Sequence, residues 1–339
     1  MSESDPVGSM TGADLSSSRY GVVVIGRNEG DRLRRCLDSV IGSAAIVIYV
    51  DSGSTDGSVE MARGRGVSVV GLDMNVPFTA ARARNAGFRH LRAMAPELPN
   101  VLFVDGDCEV ASVFPASALA FLDEHPDVAA VCGRRRERFP ERSIYNRLCD
   151  IEWEGPPGNV RFCGGDVMMR AAALHSAGGY RDDLIAGEEP ELCVRLRQAG
   201  WRIWRLPDEM TLHDASLLRF GQWWKRAQRG GHAFAEGAHL HGAGPEWHAV
   251  RQTTRAMVWG AGLPLAILLL GLLDARFWWL TLLYPAQALR LALRYGVGRP
   301  LSWLRALFAL MTHFAEASGV VKFHWNRLFG RRSALIEYK

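Results

Sequence analysis

No Cys-x-x-Cys pair occurs among the six cysteines, at positions 36, 108, 132, 149, 163 and 193. That excludes the common zinc spacings and reads as free thiols in a reducing compartment. No Gly-x-Gly-x-x-Gly follows the first strand-like run, which disfavours a dinucleotide-binding Rossmann domain. No internal repeat is visible. Charge of one sign is scarce: 40 Lys and Arg stand against 36 Asp and Glu, a net charge of +4. The arginines gather at "GRRRER" (Gly133 to Arg138) and beside the C-terminal apolar segments instead of forming one stripe. This favours phosphates or a membrane surface as anionic partners, and no nucleic acid is expected. The first nineteen residues hold no apolar core of a secretory signal and are expected to be a disordered lead-in.

What remains is an ordinary folded composition, 48% hydrophobic and 22% charged over 339 residues, enough for one large domain and an appendage. From Tyr20 onward strand-like and helix-like pieces alternate. "GVVVIG", "AIVIYVD", "VSVVGL" and "NVLFVDGD" read as strands, and "DRLRRCLDSVIGS", "VEMARGRG" and "TAARARNAGFRHLRAM" read as the helices between them. Alternation of this kind predicts an α/β domain with helices on both faces of a mostly parallel sheet. Asp51 and Asp105 each follow a strand, so one crevice at the C-terminal edge of the sheet would hold both.

The stretch "VLFVDGDCEV" ends a continuously apolar run on Asp105-Gly106-Asp107. Two carboxylates in one sharp turn repel each other unless a cation lies between them, and Mg²⁺ is typically held by one or two carboxylates plus substrate phosphates. A solvated turn has the same composition. Further on, "GEEPELCVRLRQAGW" carries helix punctuation: Pro190 suits a first helical position, Gly200 a stop, and Glu188 and Glu189 the helix entrance. Histidines 232, 239 and 241 lie in a Gly-rich stretch without standard ligand spacing and are expected in a loop or interface.

After Arg255 the character changes. Met257 to Leu273 contains no charge, and a second apolar run follows the short "DAR". Arg251 and Arg255 flank one end of the pair, and Arg290, Arg294 and Arg299 the other. This bias predicts a membrane hairpin over 257–293 with both ends cytoplasmic. A third stretch, 301–322, carries Arg305, His313 and Glu316 and is expected to be interfacial or packed on the hairpin. The expected division is thus 1–19, a domain at 20–245, and hydrophobic helices at 246–339.

In order and approximate spacing, "VVVIGRNEG", "VIYVDSGSTDGS", "ARARNAG", "FVDGDCEV" and "GEEPELCVRL" resemble the inverting family-2 glycosyltransferases. The resemblance covers about residues 20–237. It implies a GT-A fold, a Rossmann-like α/β nucleotide-diphospho-sugar transferase domain, here with a C-terminal helical membrane-associated segment. Gly26, Arg27, Asn28 and Glu29 would edge the nucleotide base and ribose, and Asp51 would bind base or ribose. Arg84 and Asn85 would lie near the ribose and diphosphate. Asp105 and Asp107 match the family's Asp-x-Asp, whose acids hold ribose and metal, Mg²⁺ or Mn²⁺. His213 resembles a later His that some relatives place near the metal or diphosphate. Glu189 aligns with the general base and Glu188 with the acid before it.

The chemistry agrees with the resemblance. Expelling a nucleoside diphosphate requires stabilisation of the developing negative charge, and the acceptor hydroxyl must lose its proton to one carboxylate. A single displacement gives inversion. The expected donor is a UDP-sugar, and the expected acceptor is lipid-linked or a membrane-proximal saccharide, used at the cytoplasmic face of the plasma membrane. A polyprenyl-phosphate acceptor and a catalytically silent nucleotide-binding scaffold remain as alternatives. Two departures stand out: the base position carries Glu where relatives usually carry Asp, and no Trp follows Arg229, which argues against the processive synthases.

Overall fold

The computed structural model describes residues 19–331 and residue 336. The lead-in expected over residues 1–19 lies outside them except for Arg19. The first half follows the alternation of the sequence. In chain order it is β1 (Tyr20–Gly26), α1 (Asp31–Val40), β2 (Ile46–Asp51), α2 (Ser58–Gly64), β3 (Ser68–Gly71), α3 (Ala80–Met94) and β4 (Asn100–Asp105). Strands β3, β2, β1 and β4 pair parallel in that order, and β1 and β4 are almost wholly buried, as continuous apolar runs require. The register sets Gly26 beside Asp51 and Ile25 beside Asp105, so both acids reach the same edge of the sheet.

The second half is β5 (Cys108–Val110), α4 (Phe114–Glu124), β6 (Val128–Glu137), α5 (Ile144–Trp153), β7 (Gly158–Asn159), β8 (Val167–Arg170), α6 (Ala171–Ser176), α7 (Glu188–Gln198) and β9 (Arg202–His213). Here the sheet departs from the mostly parallel expectation. β8 runs antiparallel to both β4 and β6, and β5 and β7 run antiparallel to β9. These strands are not each joined by a full crossover helix, so nothing forces them parallel. The result is one mixed nine-stranded sheet.

The C-terminal part begins with α8 (Phe220–His241), which contains the histidine-bearing stretch expected as loop or interface. One glycine on each side of its crossing is explained by contact. A Cβ at Gly231 would overlap the backbone of Glu316, and one at Gly319 would overlap the backbone of Gln228. The helix therefore crosses α12 (Pro300–Leu328) with the two backbones touching. Between them lie α9 (Val250–Met257), a π-helical turn (Val258–Gly262), α10 (Leu263–Leu273), a 3₁₀ stretch (Ala275–Leu282) and α11 (Leu283–Tyr295). Val250–Leu273 forms one helical run of 24 residues, long and apolar enough to cross a membrane by length and composition. The expected return arm is broken, part 3₁₀ and part α-helix. The third segment, α12, packs chiefly on α8 and on α11, with Phe308 set edge-on against Trp223.

Candidate active site

A cavity of about 500 Å³ opens at the C-terminal edge of the parallel strands. Its wall includes Gly26 to Glu29 after β1, Asp105 to Asp107 after β4, Arg84 of α3 and Glu188 of α7. Arg84 organises the middle. Its side chain is 3% exposed, and it donates from Nη2 to Asp105 Oδ1 and from Nη1 to Glu188 Oε1, both at 2.7 Å. Burial alone would lower the guanidinium pKa, but the two carboxylates outweigh it and keep Arg84 charged. Burial likewise tends to raise the Glu188 pKa, while Arg84 and then Arg229 pull it below the ordinary carboxylate range. Gly165 is part of this arrangement: a Cβ there would lie 2.6 Å from the Arg84 guanidinium and 3.0 Å from Asp105 Oδ2.

Asp166 ties three strands together behind the site. Wholly buried, it accepts from the Asp105 backbone N–H at 2.9 Å, from Arg135 Nη2 at 2.6 Å and from Thr211 Oγ1 at 2.9 Å. Burial opposes its charge, and Arg135 more than compensates, leaving its pKa below the usual value. Arg135, held so, lines the cavity 3.8 Å from Asp105 Oδ2 and over the Trp153 ring. Asp105 thus faces two fixed guanidinium groups.

At the other end of the cavity Asp107 Oδ2 lies 3.3 Å from His213 Nε2. The pairing of Cys108 with His213 between β5 and β9 brings them together. The His213 ring stands edge-on to Trp153 at 4.8 Å, and its buried Nδ1 has no hydrogen-bond partner, with Glu137 Oε2 3.8 Å away. Burial pushes the neighbouring Cys108 thiol well above its ordinary pKa, and its Sγ lies with the Asp107 and His213 donors in one group that could hold a metal ion. One carboxylate and one imidazole at the floor of an arginine-rich cavity fit a hard divalent ion that shares its remaining positions with phosphate oxygens.

Not every expected residue reaches the cavity. Asp51 accepts from Tyr49 Oη and from the backbone N–H groups of Gly53 and Ser54, closing the turn after β2. Asn85 donates to the Tyr180 carbonyl and to Asp182 Oδ1 and accepts from Tyr180 N–H, pinning that loop. Asn28, at φ 54°, accepts from Thr55 N–H and lines the cavity. Glu189 is turned inward. It accepts from Cys163 N–H at 2.6 Å and from the thiols of Cys163 and Cys193 at 3.1 and 2.9 Å. Burial pushes the Cys193 thiol up to about 12 and Cys163 well up too, so both act as donors to Glu189. Successive helical residues point about 100° apart, so the two acids of the pair face different surroundings. Glu188 lines the cavity, whereas the aligned base, Glu189, is outside its wall.

With this geometry in place, the model of glycosyl transferase family 2 matches residues 21–171. Over those residues the chain is similar to glycosyl transferase family 2. The succinoglycan biosynthesis protein ExoA of Rhizobium meliloti (strain 1021) is 26% identical over 208 residues. The match takes in 58% of this chain and 63% of ExoA, so the chain spans less than two thirds of that relative's length. Among solved structures, the mannosyltransferase PcManGT of Pyrobaculum calidifontis, in complex with GDP-Man and Mn²⁺, is similar at TM-score 0.60 and 20% identity. That similarity covers 93% of this chain and 89% of the other. The fold of the chain is GT-A.

Several residues of the site carried no clear signal in the sequence. Arg135 sat unresolved within "GRRRER". On a strand, neighbours face opposite ways, so the middle arginine is set apart from Arg134, which pairs with Glu154, and Arg136, which pairs with Asp150 and Glu209. Asp166 and Trp153 left no comparable signal.

Proposed function

We propose that the chain is a metal-dependent, inverting glycosyltransferase that moves a sugar from a nucleotide-sugar donor to a lipid-linked or membrane-proximal saccharide acceptor in glycan synthesis. The observation that carries this is Arg84 bridging Asp105 and Glu188 in the same cavity that holds Asp107 and His213. Asp107 and His213 would hold Mg²⁺ or Mn²⁺, which supplies charge stabilisation to the leaving diphosphate. Arg135 and Arg84 flank the donor side and hold Asp105 aimed at the ribose. Glu188, at the positive end of α7, receives the acceptor proton. Its depressed pKa makes it a weak base, so proton transfer comes late, after the sugar–phosphate bond has largely broken.

In this reading residues 20–245 bind donor and acceptor, and residues 246–339 hold the enzyme at a membrane, with the cavity on the cytoplasmic side. UDP-sugars are the first donors to try. Arg226 and Arg229 of α8 also line the cavity, which favours a lipid phosphate as the second acceptor class. A panel of nucleotide-sugars with Mg²⁺ or Mn²⁺, read by release of nucleoside diphosphate, tests the proposal. One donor consumed only when metal is present supports it, and no turnover with any donor and acceptor pair overturns it.

A further inference from the structure

The run Val250–Leu273 has the length of a bilayer span, but only its later part is available to lipid. Its first part packs against α8 and α12. At Gly260 the fit is closed, since a Cβ there would overlap the His313 backbone of α12. At the same level Tyr284 Oη donates to the Trp259 carbonyl at 2.7 Å, and the Tyr284 ring stacks on Phe314 at 5.8 Å. This clamp marks where the globular body ends. Beyond it, α10 and the 3₁₀ stretch pack on each other, with the Trp278 ring against Gly271.

What projects is apolar and bare. Leu272 is 73% exposed, Leu273 83% and Trp279 73%, and Leu265, Leu268 and Leu269 are exposed beside them. From Trp259 to the turn at Asp274 an α-helical rise gives roughly 21 Å, and the 3₁₀ arm that returns gives roughly 16 Å. Both are well short of the roughly 30 Å hydrocarbon core, and close to one leaflet of about 15 Å plus the headgroup boundary. The tip charges are paired: Arg276 Nη2 lies 2.8 Å from Asp274 Oδ2. Toward the body, Arg255 and Arg290 are exposed roughly 6 and 9 Å along their helices from the clamp, and Arg251, Arg294 and Arg299 are exposed farther off, so the nearer two can meet anionic headgroups.

We propose that residues 263–282 form a finger that enters one leaflet of an anionic bilayer and ends inside it, so that the enzyme is monotopic. This deepens the membrane reading above and rests on it. It replaces the expected pair of spans with a shallow insertion, and it fixes the depth at which the cavity beside α8 meets the lipid surface.

The test uses the full chain carrying Leu272→Cys, whose thiol is distinguishable because all six native cysteines are buried. Leu273→Cys repeats the measurement at the adjacent exposed position. Each variant is bound to phosphatidylcholine vesicles with and without phosphatidylglycerol, floated, and treated with a membrane-impermeant maleimide added outside or trapped in the lumen. A nitroxide on the same thiol reports depth by its accessibility to oxygen against a water-soluble nickel chelate. The expected result is flotation at least tenfold stronger with phosphatidylglycerol, no maleimide reaction from either side, and relaxation by oxygen only. Reaction from the lumen in a floated protein overturns the one-leaflet proposal while leaving membrane association intact. Reaction from outside in a floated protein also overturns it. Failure to float on either vesicle overturns both readings.

Discussion

Arg84 and Glu188 meet at 2.7 Å although 104 residues separate them, and the same guanidinium holds Asp105 at 2.7 Å. Asp105, proposed to face the donor, and Glu188, the proposed base, are thereby fixed relative to one another by a single buried cation. Arg84→Lys keeps the charge but loses the fork that reaches both acids. Transfer is expected to fall at least tenfold with the fold retained. Arg84→Ala strands two carboxylates and is expected to cost about 3–5 kcal/mol of stability. Thermal melts and steady-state transfer for the two variants check this.

Asp107 and His213 supply the donors proposed for the divalent ion. Asp107→Asn and His213→Ala are each expected to weaken metal-dependent donor binding at least tenfold, while donor binding measured with chelator present stays unchanged. Calorimetry with and without Mn²⁺ measures both.

Asp166 has a folded pKa below its ordinary value of 3.8. For such an acid, the stabilising contribution is fully present above the unfolded pKa and is lost as pH falls through the folded pKa. Wild type should therefore lose stability below about pH 4. Asp166→Asn, which leaves buried Arg135 without its counter-charge, should already be destabilised by about 3–5 kcal/mol at neutral pH. Its melting temperature should also change less between pH 5 and pH 3, which melts across that range will measure.

Glu236 of α8 behaves oppositely. Burial, and next Asp183, push its carboxyl up to about 7. Between about pH 4.5 and 7 the folded state then holds the proton that the unfolded state has released, so stability declines as pH rises. Glu236→Gln should melt like wild type at pH 4.5 and be more stable at pH 8, by on the order of 1–3 kcal/mol. Equal pH profiles for the two proteins would contradict this.

The parallel half of the sheet was legible because β1, β2 and β4 are continuous apolar runs separated by periodic helices, and because Asp51 and Asp105 end their strands. The mixed half was not, since β7 and β8 are short and no local pattern states which neighbour they pair with. Within the site, motif order brought Arg84, Asp105, Asp107, Glu188 and His213 to one cavity. It could not tell which of two adjacent glutamates faces inward, because that depends on Cys163 and Cys193 offering donors to Glu189 from a distant loop and from the same helix. Asp51 and Asn85 sit at the expected edge, yet their polar atoms are spent on turns and on the Tyr180 loop. The Gly-rich stretch of α8 read as loop because the close crossing with α12 that requires Gly231 is a long-range contact.

The central claim is that Glu188 takes the acceptor proton while Glu189 holds the fold. Single-turnover sugar transfer by Glu188→Gln and Glu189→Gln, measured beside donor binding and melting temperature, tests it most directly. The account predicts that Glu188→Gln loses roughly 10² to 10⁴ in transfer rate with the fold retained and donor affinity near wild type, its melting temperature falling only by what the lost ion pair to Arg84 contributes. For Glu189→Gln it predicts a lowered melting temperature and a transfer rate within about tenfold of wild type in the folded fraction. Near wild-type transfer by Glu188→Gln, together with a rate collapse in a well-folded Glu189→Gln, would contradict it.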